Sequence, residues 1–168
     1  THLGDEYVPI AQVISEKAVV NAMVGLLATG GSTNETMHLV AIARAAGIRI
    51  DWNDFAELSD NIPLLVRIYP NGPGDINSFQ DAGGMALLIR ELLKGEMVHE
   101  DVQTVAGFGL RRYLEAPVLD GDETVWRDGP QEAADPAVIA TVGQPFEAMG
   151  GIKVLSGNLG RAIMKISA

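Results

Sequence analysis

The sequence predicts an α/β fold, a layered α/β domain followed by the first strands of a C-terminal β-rich domain. Apolar helical patterns fill much of the first half, the largely continuous apolar run 64–69 is typical of a strand covered on both faces, and two strand patterns follow Gly150-Gly151. The chain therefore divides into part of an N-terminal α/β domain at 1–115, a connector at 116–150 and the start of the next domain at 151–168.

Two helices are predicted on either side of a glycine turn. Residues Ile14 to Ala28 are apolar nearly all round, which is typical of a helix at the centre of its domain. After the turn, Met37 and Val40 share one helical row and Leu39 lies on another. The second helix, which ends at Gly47, is therefore also expected to be mostly buried.

A short helix and a strand are predicted next. Asp51 or Asn53 can serve as the N-cap of a helix that runs towards Ser59. The run Leu64 to Tyr69 is predicted as the buried strand. Beyond it, Pro70 to Asp75 holds two prolines and two glycines, which predicts a loop at the carboxyl end of the strand.

A longer helical pattern covers Ile76 to Lys94. Its apolar face is predicted to comprise Met85, Leu88, Ile89 and Leu92. A glycine inside a helix costs roughly 1 kcal/mol relative to alanine. The pair Gly83-Gly84 therefore indicates either that two helices meet there or that another element packs very closely.

The remaining elements are short. Thr104 to Leu114 is predicted as a helix, and the acidic segment after it as a connector with one plausible strand at Thr124 to Trp126. Strands are expected at 152–155 and 162–166 around a turn at 156–160. The segment 163–168 is expected to end as a strand without a pairing partner, which favours self-association.

Composition excludes several classes of partner and site. The net charge of −10, without a run of Lys and Arg, argues against nucleic acid. The chain has no cysteine, so it can build neither a disulfide nor a thiolate metal site, and its three scattered histidines predict no metal site. No apolar run reaches membrane-spanning length and no signal-like core opens the chain. The expectation is a cytoplasmic protein without a membrane partner.

The turn Thr29–Asn34, of sequence Thr-Gly-Gly-Ser-Thr-Asn, is the best candidate for a ligand-binding segment. Glycine lets backbone approach a ligand closely, the first N–H groups of a helix lack partners within it, and the helix dipole favours an anion. A phosphate or carboxylate would suit this turn. Spacing alone favours a simpler interpretation, in which Gly30 ends one helix and Ser32 caps the next with Glu35 in a capping box.

Further polar residues are less specific. Asn71, Asp75 and Asn77 follow the carboxyl end of the predicted strand, where open α/β sheets tend to bind ligands, although a solvated turn would have the same composition. His38 lies one helical turn beyond the glycine turn and could reach the same ligand or a neighbouring carbonyl. His99 is expected at the surface or in a cap.

The motifs occur in an order that resembles the dehydratase family containing dihydroxy-acid dehydratase and 6-phosphogluconate dehydratase. They are Thr29–Asn34 with His38-Leu39, Tyr69–Pro73, Asp75–Asn77, Ala82–Gly84, Leu92-Leu93, His99–Asp101, Thr104–Gly107 and Ser156–Arg161. The similarity extends over essentially the whole chain and is weakest between Ala116 and Gln144. The loop at 69–73 and the segments 108–113 and 155–162 look like the 6-phosphogluconate branch.

The resemblance implies a layered α/β substrate-binding domain of a hydro-lyase that converts 6-phosphogluconate to 2-keto-3-deoxy-6-phosphogluconate in the Entner–Doudoroff route. In such enzymes an iron–sulfur cluster acts as Lewis acid on the departing hydroxyl, and a base removes the proton next to the carboxylate. A homodimeric parent is expected, and Asp75 could contact a divalent cation. The residues expected to bind the phosphorylated sugar acid are Ser32, Thr33, Asn34, His38, Asn71, Asp75, Asn77, Asn158 and Arg161.

The family's cluster-binding cysteines lie upstream of this region, and its catalytic serine and further acidic metal ligands lie downstream. The chain is therefore expected to be an internal fragment that holds no cluster and is inactive alone, an expectation that the absence of an initial Met and the stop after Ser167-Ala168 favour. No catalytic residue is assigned. Two alternatives stay open: part of a dihydroxy-acid or other sugar-acid dehydratase, and a non-catalytic binding module with the same fold.

Overall fold

Helix α2 (Glu16–Thr29) forms the centre of the core, as its apolar pattern predicts. In the computed structural model, which describes residues 2–3 and 6–166, its Met23, Val24 and Leu27 side chains are almost completely buried. Ser15 begins the helix by accepting a hydrogen bond from the Ala18 N–H at 3.2 Å. Gly30 ends it in the left-handed region, with φ 56°, as expected.

Further helices and antiparallel strand pairs surround α2, which confirms the predicted mixed α/β class. The other helices are α1 (Ile10–Val13), α3 (Thr33–Ala45), α4 (Trp52–Ser59), α5 (Ile76–Ala82), α6 (Gly84–Lys94) and a 3-10 helix (Arg111–Leu114). The strands are β1 (His2–Leu3), β2 (Glu6–Tyr7), β3 (Gln103–Thr104), β4 (Gly107–Phe108), β5 (Glu115–Asp120), β6 (Glu123–Asp128), β7 (Ile152–Gly157) and β8 (Gly160–Lys165). The strands pair as four two-stranded antiparallel sheets: β1 with β2, β3 with β4, β5 with β6, and β7 with β8. None of the described helices combines the length and apolar character needed to cross a bilayer.

Helix α3 is more exposed than its sequence predicts. Met37 is 56% exposed and Ile42 is 45% exposed, so the expectation of a mostly buried helix is wrong. Only one side of α3, with Thr36, Leu39 and Ala43, is buried in the described structure. The apolar rows of the sequence show which residues could be buried, but the number of neighbouring elements decides how many are.

The glycine pair at 83–84 separates two helices, which is one of the two arrangements expected. Gly83 has φ 137° and Gly84 has φ 59°, values that L side chains rarely adopt, so a single helix cannot pass through this point. The predicted apolar face of α6 is only partly correct. Leu88 and Leu92 are buried, but Met85 is exposed and Leu87 and Glu91 complete the buried face.

The run 64–68 is extended and crosses the core. Leu64, Leu65 and Val66 are fully buried, which confirms the predicted coverage of both faces. The expectation of a sheet strand is wrong, because this segment makes only isolated bridges, to Glu147, Ile139 and Gly74. The N–H groups of Leu65 and Val66 donate to the Ala28 carbonyl, at 2.7 and 3.2 Å, which leaves them unavailable for a neighbouring strand.

The segment 103–128 holds two hairpins and a 3-10 turn, so the helix predicted at 104–114 is wrong. Gly107 and Gly109 have φ of 119° and 92°, which a right-handed helix cannot contain. The hydroxyl of Thr104 donates to the Gly107 carbonyl at 2.6 Å and closes the small β3–β4 hairpin, so only Arg111–Leu114 is helical, as a 3-10 turn. Strands β5 and β6 pair over six residues each, well beyond the predicted 124–126.

The final hairpin, β7–β8, confirms the two strands predicted after Gly150-Gly151. Strand β8 pairs with β7 from Lys165 back to Gly160, so the expectation that 163–165 would lack a partner is wrong; Ser167 and Ala168 lie outside the described residues. Ile152 at the start of β7 is buried in the core that surrounds α2. Its carbonyl accepts a hydrogen bond from the Ser59 hydroxyl.

Candidate substrate-binding groove

A groove of about 300 Å³ lies where the first turn of α3, the start of α4 and the β7–β8 hairpin meet. It brings together three of the predicted site residues, Thr33, Asn34 and Arg161, although Arg161 is remote from the other two in the sequence. The lining residues are Thr33, Asn34, Thr36, Met37, Trp52, Val154, Arg161, Ala162 and Ile163.

The glycine turn positions the α3 end of this groove. The Ser32 hydroxyl accepts a hydrogen bond from the Asn34 N–H at 3.2 Å, which confirms Ser32 as the N-cap. The Glu35 N–H donates to the Ser32 carbonyl at 3.0 Å, and the described hydrogen bonds show no reciprocal Glu35 bond of a capping box. The turn therefore caps the helix and, in the same place, presents Thr33 and Asn34 to the groove.

Arg161 of β8 supplies a positive charge to the groove lining. Its Nη2 donates to Asn53 Oδ1 at 2.8 Å, which joins β8 to the start of α4. Asp51, one of the two predicted caps, begins α4 by accepting a hydrogen bond from the Asn53 N–H at 2.6 Å. Because a guanidinium has five N–H donors and Arg161 is exposed, donors remain for an anion. Trp52 lines the groove and Asn53 contacts the lining residue Arg161, and neither was predicted at the site, since no local pattern links them to 161.

The loop after Tyr69 is attached to the glycine turn by Asn71. This residue is only 9% exposed, and its Nδ2 donates to the Gly30 carbonyl at 2.8 Å and the Thr29 carbonyl at 3.2 Å. Its Oδ1 is buried without a hydrogen-bond partner in the described structure. The geometry therefore gives Asn71 a clear contact with the predicted ligand-binding turn, although it does not line the groove.

Asp75 and Asn77 lie in the cap of α5. Asp75 Oδ1 accepts hydrogen bonds from the Ser78 N–H at 2.9 Å and the Ser78 hydroxyl at 3.0 Å. These bonds from Ser78, with lesser ones from Asn77, lower the pKa of Asp75 against the opposing effect of desolvation. The carboxylate is thus held as the ionised cap of a helix, and neither residue lines the groove.

The remaining predicted residues are exposed and outside the groove lining. His38 lies on the solvent side of α3, and Asn158 lies in the β7–β8 turn. The backbone of His99 is bonded to Asn21 of α2. Its N–H donates to Asn21 Oδ1 and its carbonyl accepts from Asn21 Nδ2, both at 2.8 Å. Larger clefts of about 850 and 560 Å³ lie beside the segment 47–50, and neither contains a predicted site residue.

The donor set does not fit an iron–sulfur cluster. The chain has no cysteine, and the described residues contain no group of three or more His, Asp or Glu side chains able to hold a metal ion. Carboxylates near the groove belong to helix caps, as Asp51 and Asp54 do at α4. No step of a reaction can therefore be assigned to a metal centre held by these residues.

Comparison with known proteins gives the family. A family model described as dihydroxy-acid/6-phosphogluconate dehydratase N-terminal matches residues 2–113. The chain is 62% identical over 165 residues to phosphogluconate dehydratase of Escherichia coli strain K12, which covers 98% of this chain and 27% of that protein. It is 58% identical over 162 residues to phosphogluconate dehydratase of Pseudomonas aeruginosa, covering 96% of this chain and 27% of the relative.

The identity is lower to a relative that carries the name dihydroxy-acid dehydratase. Dihydroxy-acid dehydratase of Syntrophobacter fumaroxidans is 35% identical over 159 residues, covering 94% of this chain and 26% of the relative. The chain spans about a quarter of the length of these curated relatives. The family model that matches residues 2–113 and these identities over nearly the whole chain lead to one conclusion: the chain belongs to the dihydroxy-acid/6-phosphogluconate dehydratase family.

Proposed function

We propose that this chain is part of a cytoplasmic hydro-lyase that dehydrates 6-phospho-D-gluconate to 2-keto-3-deoxy-6-phosphogluconate, and that its groove holds an anionic part of the substrate. The higher identity to proteins named phosphogluconate dehydratase than to a dihydroxy-acid dehydratase supports this substrate. The structural observation that carries the proposal is the approach of Arg161 to the first turn of α3 across the groove.

Binding of an anion to this acidic chain requires positive groups close to the groove. The chain has a net charge of −10, so its overall field repels a phosphorylated sugar acid. The N-terminus of a helix carries the equivalent of roughly half a positive charge, and a guanidinium can bind a phosphate or carboxylate through two parallel hydrogen bonds. The α3 terminus and Arg161 together form a positive site within an acidic surface.

The other lining residues would orient the rest of the substrate. Thr33 and Asn34 offer hydroxyl and amide groups to sugar hydroxyls, while Met37 and Trp52 form an apolar wall that limits access of water. The iron–sulfur cluster that the family resemblance implies, and any divalent cation, would be held by residues outside this chain. The role proposed here is binding and orientation, without proton transfer by a residue of this chain.

The test is a kinetic comparison in the full-length enzyme. We expect turnover of 6-phosphogluconate and an increase in KM of about tenfold for Arg161→Ala, because a lost contact of 1.4 kcal/mol corresponds to a factor of ten. Arg127→Ala is the matched control, since Arg127 is also an exposed hairpin arginine, paired with Asp120 at 2.7 Å. Its KM should equal that of the wild type.

Two results would contradict the proposal in different ways. Turnover of dihydroxy acids or gluconate without turnover of 6-phosphogluconate would show that the substrate is wrong. An unchanged KM for Arg161→Ala would show that the groove does not hold the anion, even if the reaction is the expected one.

A further inference from the structure

We propose that Asn53 is a positioning residue that holds the Arg161 guanidinium towards the groove, an inference that rests on the proposed function of the groove. The contact joins two elements that are 108 residues apart in the sequence, through a hydrogen bond of 2.8 Å from Arg161 Nη2 to Asn53 Oδ1. Asn53 therefore acts on the substrate through Arg161.

The orientation of the Asn53 amide follows from its second partner. Its Nδ2 lies 3.4 Å from Asp51 Oδ2, so the donor side of the amide faces a carboxylate and the acceptor side faces the guanidinium. The reversed amide would place an oxygen against Asp51 and an NH₂ group against Arg161, which is unfavourable on both sides. In this orientation a donor faces an acceptor at both contacts of the Asn53 amide, with Asp51 and with Arg161.

Asn53 lies in the capped first turn of α4. Asp51 caps α4 in a capping box, in which the Asp51 N–H donates to Asp54 Oδ2 at 2.7 Å. The helix is anchored by Phe55, which is buried in the core and contacts Trp52 with 5.8 Å between ring centroids. Arg161, by contrast, lies next to an exposed hairpin turn. A long side chain in this place loses rotamer freedom when it binds an anion, and a fixed acceptor lowers that loss before the substrate arrives.

A neutral amide suits this task better than a carboxylate. An aspartate at 53 would bind the guanidinium more strongly, but it would neutralise the charge that the anion needs and would add a second negative charge beside Asp51. An amide orients the guanidinium and leaves its charge available. An anionic ligand therefore accounts for an amide at position 53, whereas the link to the guanidinium alone would be stronger with a carboxylate.

The experiment is a double-mutant cycle in the full-length enzyme, with KM and kcat for 6-phosphogluconate as readouts. We expect Asn53→Ala to raise KM by about three- to tenfold with kcat within about twofold, and to have no further effect in the Arg161→Ala background. Asn53→Asp should also raise KM, despite retaining an acceptor. Folding should be unaffected, because alanine keeps the backbone N–H that Asp51 caps.

Asn61→Ala is the matched control. Asn61 follows the same helix, its Nδ2 donates to the Glu57 carbonyl at 2.8 Å, and it makes no described contact with Arg161. Its KM should remain that of the wild type. A wild-type KM for Asn53→Ala, or an effect that multiplies with that of Arg161→Ala, overturns the role of Asn53 while leaving the groove intact. An unchanged KM for Arg161→Ala overturns both the groove and this inference.

Discussion

The β5–β6 and β7–β8 hairpins have the same strand lengths and both turn through two residues, but they are attached to the helices in different ways. In β5–β6 only Ala116 and Val125 are even partly buried. In β7–β8, Ile152 is 1% exposed, and Val154 and Ile163 pack against the core. Docking of a hairpin on the core, and neither its length nor its turn, therefore places a side chain such as Arg161 in the groove lining.

The β5–β6 hairpin is held at its base instead of along its face. Arg90 of α6 pairs with Asp128 at 2.7 Å and donates to the carbonyls of Pro130 at 3.1 Å and Leu114 at 3.3 Å. One partly buried arginine thus connects both ends of this hairpin to the helices. The two hairpins therefore depend on different forces, apolar burial in one and polar contacts in the other.

The largest expected effect is a difference in the free energy of unfolding when one apolar residue of each hairpin is replaced by alanine. Ile152→Ala should lower the free energy of unfolding by about 2–5 kcal/mol, because it leaves a cavity in the core. Leu119→Ala should change it by less than about 0.5 kcal/mol, since Leu119 is 72% exposed. Denaturant titration of the two variants measures the difference. Equal effects of the two substitutions would remove the distinction between docked and undocked hairpins.

The next prediction concerns the base of β5–β6. Arg90→Ala should lower the free energy of unfolding by about 1–3 kcal/mol, because the Leu114 and Pro130 carbonyls lose a charged donor. Arg127→Ala, which removes an exposed ion pair within the same hairpin, should cost less than about 1 kcal/mol. Hydrogen exchange should accelerate selectively at 115–128 in the Arg90 variant. Uniform acceleration across the helices would mean that Arg90 supports the core and not this hairpin.

The smallest effect is a pH dependence of the docked hairpin. Partial burial lowers the pKa of Lys165, on β8, from its ordinary value of 10.5. Between the lowered pKa and 10.5 the unfolded chain binds more protons than the folded one, so the free energy of unfolding should rise with pH in that range. Lys165→Met should remove this rise and stabilise the neutral-pH protein by about 0.5 kcal/mol or less. A rise with pH that persists in Lys165→Met would assign it to another group.

Local signals predicted the helical parts well. The all-round apolar pattern of α2 and the Asp51 cap of α4 depend on neighbours within a few residues, and the structure confirms both. The helix expected at 104–114 was wrong because Gly107 and Gly109 adopt positive φ, which residue identity alone permits but does not require.

The groove was predictable only in part. The capping residue of the first turn of α3 was readable from the local sequence, and the family resemblance added Arg161. No periodicity or motif relates Asn53 to Arg161, because their contact depends on where the hairpin docks. The contact of Asn71 with a ligand stays a prediction, and the bonds of its amide to the backbone of the glycine turn could not be foreseen from local sequence.

The Asn71 bridge also bears on how this protein ages. Both carbonyls that face Asn71, those of Thr29 and Gly30, require a donor. Asparagine is a chemically labile residue, and its deamidation replaces the NH₂ group with a carboxylate oxygen. At position 71 that change would set an oxygen against the Thr29 and Gly30 carbonyl oxygens and remove the two hydrogen bonds from the Asn71 side chain. The link between this loop and the glycine turn therefore depends on the covalent integrity of one buried amide, independently of the free energy of unfolding.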